Sequence, residues 1–314
     1  MTLPRLQLSV IGDEIGPTLE EMISFAHEHG LKRLDMRTVN GRNLLAMGKD
    51  EVISISRTLE KAGIRVPCFV SPLFKWPAPG QPTVAQKVDF AFDPAQIQAE
   101  SLVDYAVHIA VILGAEHLRL FSYLRYDGFR PEHLGPLKPE MRKLLGHASH
   151  YDISLQLENE PVCNLGNIAE LARYFRTDHR AAIAGDRHAA GDDLEDEADG
   201  DDKREEPVYL RPLVDIGNAW ACGETPSDSD IATLAPLTTA IHLKDRDVAA
   251  GRTVPLGDGD VPWPAELRRL LGQVEAPEVL ASIETHCPHD GRNATARSLA
   301  ALRRIADEIQ AEIV

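Results

Sequence analysis

The sequence predicts an α/β fold, a single-domain (β/α)8 TIM barrel, from three observations. Short apolar strands alternate with helical segments along the chain, eight of each. Several helices end at a glycine followed at once by an apolar strand, which is typical of helix-to-strand junctions in parallel α/β proteins. No glycine-rich dinucleotide turn follows the first strand, because Gly12 to Gly16 read GDEIG. Strict repetition demands a parallel sheet, and eight units favour a closed barrel over an open sheet.

The first half of the chain contains four strand and helix units. A capping box at Thr18-Leu-Glu-Glu21 marks the start of the first helix, and Gly30, Gly63 and Gly114 end the first three. The predicted strands are 6–15, 31–37, 64–70 and 117–123, and the predicted helices are 18–29, 49–62, 100–113 and 140–145.

The second half repeats the same alternation around one interruption. Residues 178–207 are rich in Asp, Glu, Gly and Ala, and residues 191–206 carry half of the formal net charge of −16. We interpret this stretch as a flexible surface insertion in a single domain of residues 1–314. The alternative is an acidic lid or a partner-binding segment. One predicted strand begins at residue 155, and the other three are 210–216, 239–243 and 279–283. The predicted helices are 167–175, 230–237, 264–271 and 294–309.

The composition excludes several classes of function. Hydrophobic residues at 43% and charged residues at 26% are ordinary for globular proteins. Outside the insertion the chain is only mildly acidic, so it lacks the basic surface that nucleic-acid binding requires. The four cysteines form no CxxC pair, which favours a cytoplasmic location and disfavours a thiolate zinc site. No export segment or long apolar run is evident, so we expect no membrane association.

Four late strands each end in a residue of a type that commonly serves as a metal ligand. Glu158 lies in LQLENEP, Asp215 in LVDIGN, His242 in AIHLKD and Glu284 in ASIETH, separated by 57, 27 and 42 residues. Without the insertion of thirty residues the first spacing also becomes 27, about one strand and helix unit. Barrel active sites lie at the carboxyl ends of the strands. This oxygen-rich set suits one divalent ion, Mn²⁺, Mg²⁺, Co²⁺ or Zn²⁺.

Taken singly, each ligand candidate has a structural alternative: a strand-end carboxylate often caps a helix, and a strand histidine often bonds within the core. Three further residues are candidate substrate contacts. Lys244 lies two positions after His242, and His286 two positions after Glu284, so each shares a face with a candidate ligand. The alternatives are that Lys244 is a solvated lysine at the barrel rim and that His286 only supports a ligand. Arg37 ends the second strand and would bind substrate or pair with Asp35. The turn Gly257-Asp-Gly-Asp260 could receive a phosphate, although its aspartates oppose an anion.

The segments LENE, VDIGN, IHLKD and SIETH, in this order at strand ends, resemble the xylose-isomerase-like TIM barrels, a group of sugar isomerases, epimerases and endonuclease IV. The resemblance covers nearly the whole chain except the acidic insertion. It implies that Glu158, Asp215, His242 and Glu284 bind one divalent metal, and that the two glutamates are the catalytic acid/base pair.

Departures from the family pattern narrow the expected activity. The endonuclease branch has a histidine where this chain has Asn218, and an Asp-x-His where this chain has Gly251-Arg-Thr253. Without those additional ligands, cleavage of nucleic acid is not expected. Some ketose epimerases also place a substrate-contacting histidine at the Asn218 position, so this chain departs from that subgroup as well. Asn218 itself is a candidate substrate contact.

The resemblance implies a role in carbohydrate metabolism, as a metal-dependent sugar or polyol isomerase or epimerase whose substrate carries a phosphate or none. The proton would be removed and returned by the carboxylates, by way of a metal-stabilised enediolate. Two alternatives stay open: a dehydratase of the inosose or dehydroshikimate type on the same residues, and a barrel that binds metal and ligand without turnover. The sequence names neither the substrate, the native metal nor the oligomeric state, and a homo-oligomer is compatible with it.

Overall fold

The structure, a computed structural model, describes residues 2–81, 99–131, 135–176 and 210–314. The predicted insertion at 178–207 lies outside the described residues. The strands are β1 (Arg5–Val10), β2 (Thr38–Val39), β3 (Arg42–Asn43), β4 (Cys68–Phe69), β5 (His117–Leu120), β6 (Ser154–Glu158), β7 (Leu210–Asp215), β8 (Ala240–Leu243), β9 (Asp245–Asp247), β10 (Arg252–Val254) and β11 (Glu278–Ile283). The α-helices are α1 (Leu19–Glu28), α2 (Lys49–Lys61), α3 (Ala99–Leu113), α4 (Leu137–Ala148), α5 (Ile168–Arg176), α6 (Ile216–Ala221), α7 (Asp228–Leu234), α8 (Trp263–Leu271) and α9 (Gly291–Ile309).

Seven strands form one parallel sheet in the order β1-β11-β8-β7-β6-β5-β4. Residues 33–36 connect its two ends, because Asp35 pairs in parallel with Ile11 and Met36 with Phe69. The Asp35 N–H donates to the Val10 carbonyl over 2.9 Å, and the Met36 N–H donates to the Cys68 carbonyl over 3.1 Å. This segment is the predicted second strand, and it closes the sheet into the predicted TIM barrel.

Local signals in the sequence position the first helix as expected. The Thr18 hydroxyl accepts from the Glu21 N–H over 3.2 Å, and the Glu21 carboxylate accepts from the Thr18 N–H over 3.0 Å. The helix buries Met22 and Phe25 against the sheet, where apolar burial provides the main stabilisation. Among the described helices, none combines the length and the hydrophobicity that spanning a bilayer requires.

Two stretches near the barrel mouth differ from the sequence prediction. The first strand was expected to run to residue 15, but β1 ends at Val10 and the chain turns through a 3-10 segment at Gly12–Glu14. Gly12 permits this turn to pack closely, since a β-carbon there would lie 2.9 Å from the Met22 sulfur. The helix α6 was not expected, and it begins directly after Asp215, whose carboxylate accepts from the Asn218 N–H and caps it.

A buried glutamine and its hydrogen-bond partners lie inside the barrel near the amino ends of the strands. Gln156, buried in β6, donates to His117 Nδ1 over 3.1 Å and to Thr239 Oγ1 over 3.1 Å. Burial, followed by the charge of Arg211, lowers the pKa of His117 from 6.5 to about 4. The neutral imidazole suits this position because a protonated Nδ1 could not accept the hydrogen bond from Gln156.

The free energy of unfolding is therefore expected to fall as the pH drops from about 6.5 to 4. In this window the unfolded chain binds a proton on His117 that the folded chain does not. The stability that the neutral His117 contributes to the folded state is therefore fully present above pH 6.5 and is lost as the pH falls towards 4. Because His117 is partly exposed, we expect a loss of about 1–3 kcal/mol. Urea denaturation between pH 4 and 7 measures it. His117→Gln should flatten the profile and the exposed control His150→Gln should not; equal slopes in the parent and His117→Gln would contradict the assignment.

Candidate functional site

The four predicted ligands meet at the carboxyl ends of β6, β7, β8 and β11. Asp215 and His242 are register partners on neighbouring strands, while Glu158 ends β6 and Glu284 follows β11. One potential ligand atom from each residue lies within 4.8 Å of the others. All four side chains are almost completely buried. Barrel closure therefore converts four distant sequence positions into one compact cluster.

One ring nitrogen of His242 faces both glutamates. Its Nδ1 lies 3.0 Å from Glu158 Oε1 and 3.4 Å from Glu284 Oε2. Burial alone would raise the pKa of Glu158, but the charges of His242 and Arg119 outweigh it and hold the pKa at about 2. Burial alone would lower the pKa of His242, but the two glutamates raise it to about 10. The cluster thus keeps both carboxylates ionised.

Lys244 lies inside the cluster rather than at a solvated rim. Its Nζ donates to Glu284 Oε2 over 2.6 Å and lies 2.9 Å from Asp215 Oδ2. Burial raises the pKa of Asp215 to about 6 even though Lys244 opposes the shift. Gly217 in α6 makes room for the lysine stem, because a β-carbon there would approach Lys244 Cγ to 2.6 Å.

Arg119 is a central residue that the sequence reading missed. It is buried in β5, and its NH1 donates to Glu158 Oε2 over 3.2 Å and lies 3.6 Å from Glu284 Oε1. The Nε and NH2 groups both donate to the Ser71 carbonyl over 3.2 Å, and the guanidinium lies 4.5 Å from the Phe121 ring centre. A charged residue between the apolar residues Leu118 and Leu120 was the available signal, since such a charge requires a buried partner.

Arg37 connects the mouth of the barrel to the cluster. Its guanidinium contacts Asp13 over 3.0 Å, Glu14 over 2.7 Å and Glu284 over 3.2 Å. From the sequence, Arg37 was a candidate to pair with Asp35. In the structure its guanidinium contacts carboxylates from the 3-10 turn after β1 and from the end of β11 instead. The turn that shortens β1 is what brings Asp13 and Glu14 here.

His286 and Asn218 differ in how they meet the site. His286 Nε2 lies 3.2 Å from Glu284 Oε1, and its backbone is held in a left-handed conformation, with φ of 49°, while its N–H donates to Glu14 Oε2 over 2.8 Å. The Asn218 side-chain amide instead donates to the Asn159 carbonyl over 2.8 Å. Asn218 therefore joins α6 to the end of β6.

A cleft of about 980 Å³ opens next to the cluster at the barrel mouth, and none of the four ligand candidates is among its lining residues. Its walls include Arg37 and His286, which both contact Glu284, and also Lys75 and Glu160. Glu160 lies two residues beyond Glu158 and pairs with Lys75 over 3.0 Å at the cleft wall. This volume lies in the range of small-molecule sites.

The fold and the motifs agree with a comparison against known families. A family model described as xylose isomerase-like TIM barrel matches residues 23–305. The chain belongs to the xylose isomerase-like TIM barrel family. The resemblance indicated by LENE, VDIGN, IHLKD and SIETH is thereby confirmed.

Solved structures share the fold at low sequence identity. The IOLI protein with a bound zinc atom has a TM-score of 0.68 and 11% identity, over 96% of this chain and 99% of that chain. An L-ribulose 3-epimerase has a TM-score of 0.62 and 14% identity, over 99% of this chain and 96% of that chain. A probable 3-DHS dehydratase, AsbF from Bacillus anthracis, has a TM-score of 0.59 and 13% identity, over 95% and 98%. None of the curated proteins matches the sequence.

Proposed function

We propose that this member of the family is a divalent-metal-dependent sugar or polyol isomerase or epimerase. The observation that supports it most is the buried cluster of Glu158, Asp215, His242 and Glu284, whose ligand atoms lie within 4.8 Å of one another. The cluster adjoins a cleft at the barrel end where this fold places its catalytic residues.

The donor set fits a divalent ion. Three carboxylates and one imidazole provide hard oxygen and nitrogen ligands from four neighbouring strands, as Mn²⁺, Mg²⁺, Co²⁺ and Zn²⁺ prefer. A bound ion would polarise a substrate carbonyl and its neighbouring hydroxyl and so acidify the adjoining C–H bond. Because a ligand histidine must be neutral, His242 would give up the proton that the two glutamates favour.

Glu158 and Glu284 are suited to move the substrate proton. They come from β6 and β11, which β7 and β8 separate in the sheet, so they approach a ligand from different sides. Burial would raise the pKa of Glu284, but the charges of Lys244 and His286 hold it well below its usual range. An ionised carboxylate can accept the proton from carbon and, once protonated, can return it to the neighbouring carbon, which gives isomerisation. Epimerisation would in addition require the other glutamate to take up a proton from solvent before it donates to the opposite face.

Three cations and a histidine surround the reacting position. Arg119 contacts both glutamates and fixes their carboxylates in place. Lys244 donates to Glu284 and can instead donate to a substrate oxygen on which negative charge develops. Arg37 and His286 line the cleft and are the proposed substrate contacts. The Asn218 amide bonds to the main chain, so its proposed contribution is through the position of α6.

Incubation of the Mn²⁺-loaded protein in D₂O with ketoses, polyols, and ring ketones and ring acids that carry a β-hydroxyl tests the chemistry. Deuterium entering a recovered or isomerised sugar without loss of water is the expected result, because a carbon-bound proton exchanges through the glutamates. A dehydratase is the second candidate, since a carbanion-like species beside a β-hydroxyl can also expel water. Loss of water from a ring acid would replace the isomerase with this lyase. If no compound in the panel shows deuterium exchange or loss of water, the result would favour a barrel that binds metal and ligand without turnover.

A further inference from the structure

The cations on the cleft wall are paired with carboxylates. A substrate phosphate needs cationic or N–H donors directed at it, so the arrangement of these charges bears on which substrates can enter. The pairs are Arg37 with Asp13 and Glu14, Lys75 with Glu160 over 3.0 Å, and Arg292 with Glu28.

The described cleft wall also carries an excess of negative charge. Five carboxylates line it against three permanent cations, so the wall has a net charge of −2. Beneath it, a divalent ion with Lys244 and Arg119 would exceed the three ligand carboxylates by only one charge. A phosphate, which carries up to two negative charges, would therefore enter a net negative environment. The carboxylates are Asp13, Glu14, Glu21, Glu160 and Asp290, and the cations are Arg37, Lys75 and Arg292.

The turn Gly257–Asp260, which the sequence suggested as a phosphate site, already surrounds a carboxylate of the protein itself. Asp245, buried after β8, accepts from the Gly257 N–H over 2.9 Å and the Val261 N–H over 3.1 Å. The Asp260 N–H donates to the Arg246 carbonyl over 2.8 Å. A side chain at Gly259 would clash with this carboxylate, because a β-carbon there would overlap with Asp245 Oδ1. The N–H groups in and next to this turn thus already bind the carboxylate of Asp245, at the position where an external anion would have to bind.

Ion-paired walls are suited to hydroxyl groups instead. A hydroxyl donates one hydrogen bond and accepts others, so it gains most where a donor lies beside an acceptor. The Arg37 and Asp13 pair and the Lys75 and Glu160 pair provide this combination on the cleft wall.

We propose that the cleft binds an uncharged polyhydroxy ketone or aldehyde and discriminates against its phosphorylated counterpart. This substrate class rests on the proposed function, because it assumes that the cleft above the metal ligands is the substrate site. The pairing of each wall cation and the internal use of the Gly257–Asp260 turn both point to it.

Calorimetric titration of the Mn²⁺-loaded protein tests the proposal with matched pairs of free and phosphorylated ketoses. The probes are D-fructose with D-fructose 6-phosphate, D-ribulose with D-ribulose 5-phosphate, an inosose, and inorganic phosphate alone. We expect at least one neutral member to bind roughly tenfold more tightly than its phosphorylated partner, and phosphate not to displace it. Equal or tighter binding of the phosphorylated members overturns the proposal, as does failure of every neutral member to bind.

Deuterium exchange on the same pairs separates the two proposals. Preference for neutral ketoses in binding, without exchange or loss of water in any of them, would remove the isomerase and leave the substrate class intact. Exchange confined to the phosphorylated members would leave the isomerase intact and remove the substrate class. Exchange confined to neutral members supports both.

A charge variant on the cleft wall makes the test specific. Glu160→Gln removes one negative charge beside Lys75, so the affinity for the phosphorylated ketose should rise on the order of three- to tenfold. Glu278→Gln is the matched control, because Glu278 pairs with Arg5 at the start of β11, opposite the cleft. An identical phosphate affinity in the parent and Glu160→Gln would count against discrimination by wall charge.

Discussion

Replacing Glu158 by glutamine is expected to remove tight binding of the divalent ion and to abolish turnover. The side chain is fully buried, and its carboxylate is one of four ligand groups within 4.8 Å. An amide keeps the shape but loses the charge that balances the ion, so affinity should fall at least about 100-fold. Loss of the acid/base group should lower turnover by a further factor of about 10²–10⁴. Metal analysis after Mn²⁺ reconstitution and dialysis measures the first effect without needing a substrate.

A control on the same stretch of chain distinguishes a ligand from a nearby carboxylate. Glu160→Gln changes the same residue type two positions away, where the carboxylate pairs with Lys75 at the cleft wall. We expect the parent and this control to retain one ion per chain, and Glu158→Gln and His242→Ala to retain less. Less than one tightly bound ion in the parent, with both ligand variants indistinguishable from it, would eliminate the metal site and the proposed chemistry with it.

Replacing Arg119 by alanine is expected to lower the free energy of unfolding by about 3–5 kcal/mol, the usual cost of removing one partner of a buried ion pair. The guanidinium is 1% exposed and contacts Glu158, Glu284 and the Ser71 carbonyl. Its removal leaves two buried carboxylates with less compensating charge and the Ser71 oxygen without these two donors. It also leaves a void against Phe121. Urea or guanidinium denaturation measures the change.

Arg125→Ala is the matched control, because this arginine is 48% exposed and pairs with Glu170 over 2.7 Å at the surface. Surface pairs contribute about 0–1 kcal/mol, so this variant should unfold almost as the parent does. Added Mn²⁺ should restore part of the stability of Arg119→Ala, since the ion compensates the same carboxylates. A loss equal to that of the control, or no gain from Mn²⁺, would contradict a role for Arg119 in balancing the site.

Much of the site could be predicted from the sequence because its signals are local. Strand ends are marked by the residues that follow them, and side chains two positions apart in a strand share a face, so the four ligand candidates could be placed together at the carboxyl ends of their strands. The same logic placed Lys244 on the face of His242. It could not determine whether Lys244 reaches solvent or the cluster, because that depends on the opening left by Gly217 in a helix that the pattern did not reveal.

The sequence by itself determined the barrel, its order of elements and the four candidate ligands, because periodicity, capping and strand-end positions are properties of short segments. Only the tertiary structure decided which charges meet. Arg119 and Glu158 are 39 residues apart, and Arg37 and Glu284 are 247 residues apart, so their pairing exists only once the sheet has closed. Closure brings these groups out of water together, and buried charges are stable only where opposite charges or hydrogen bonds meet them.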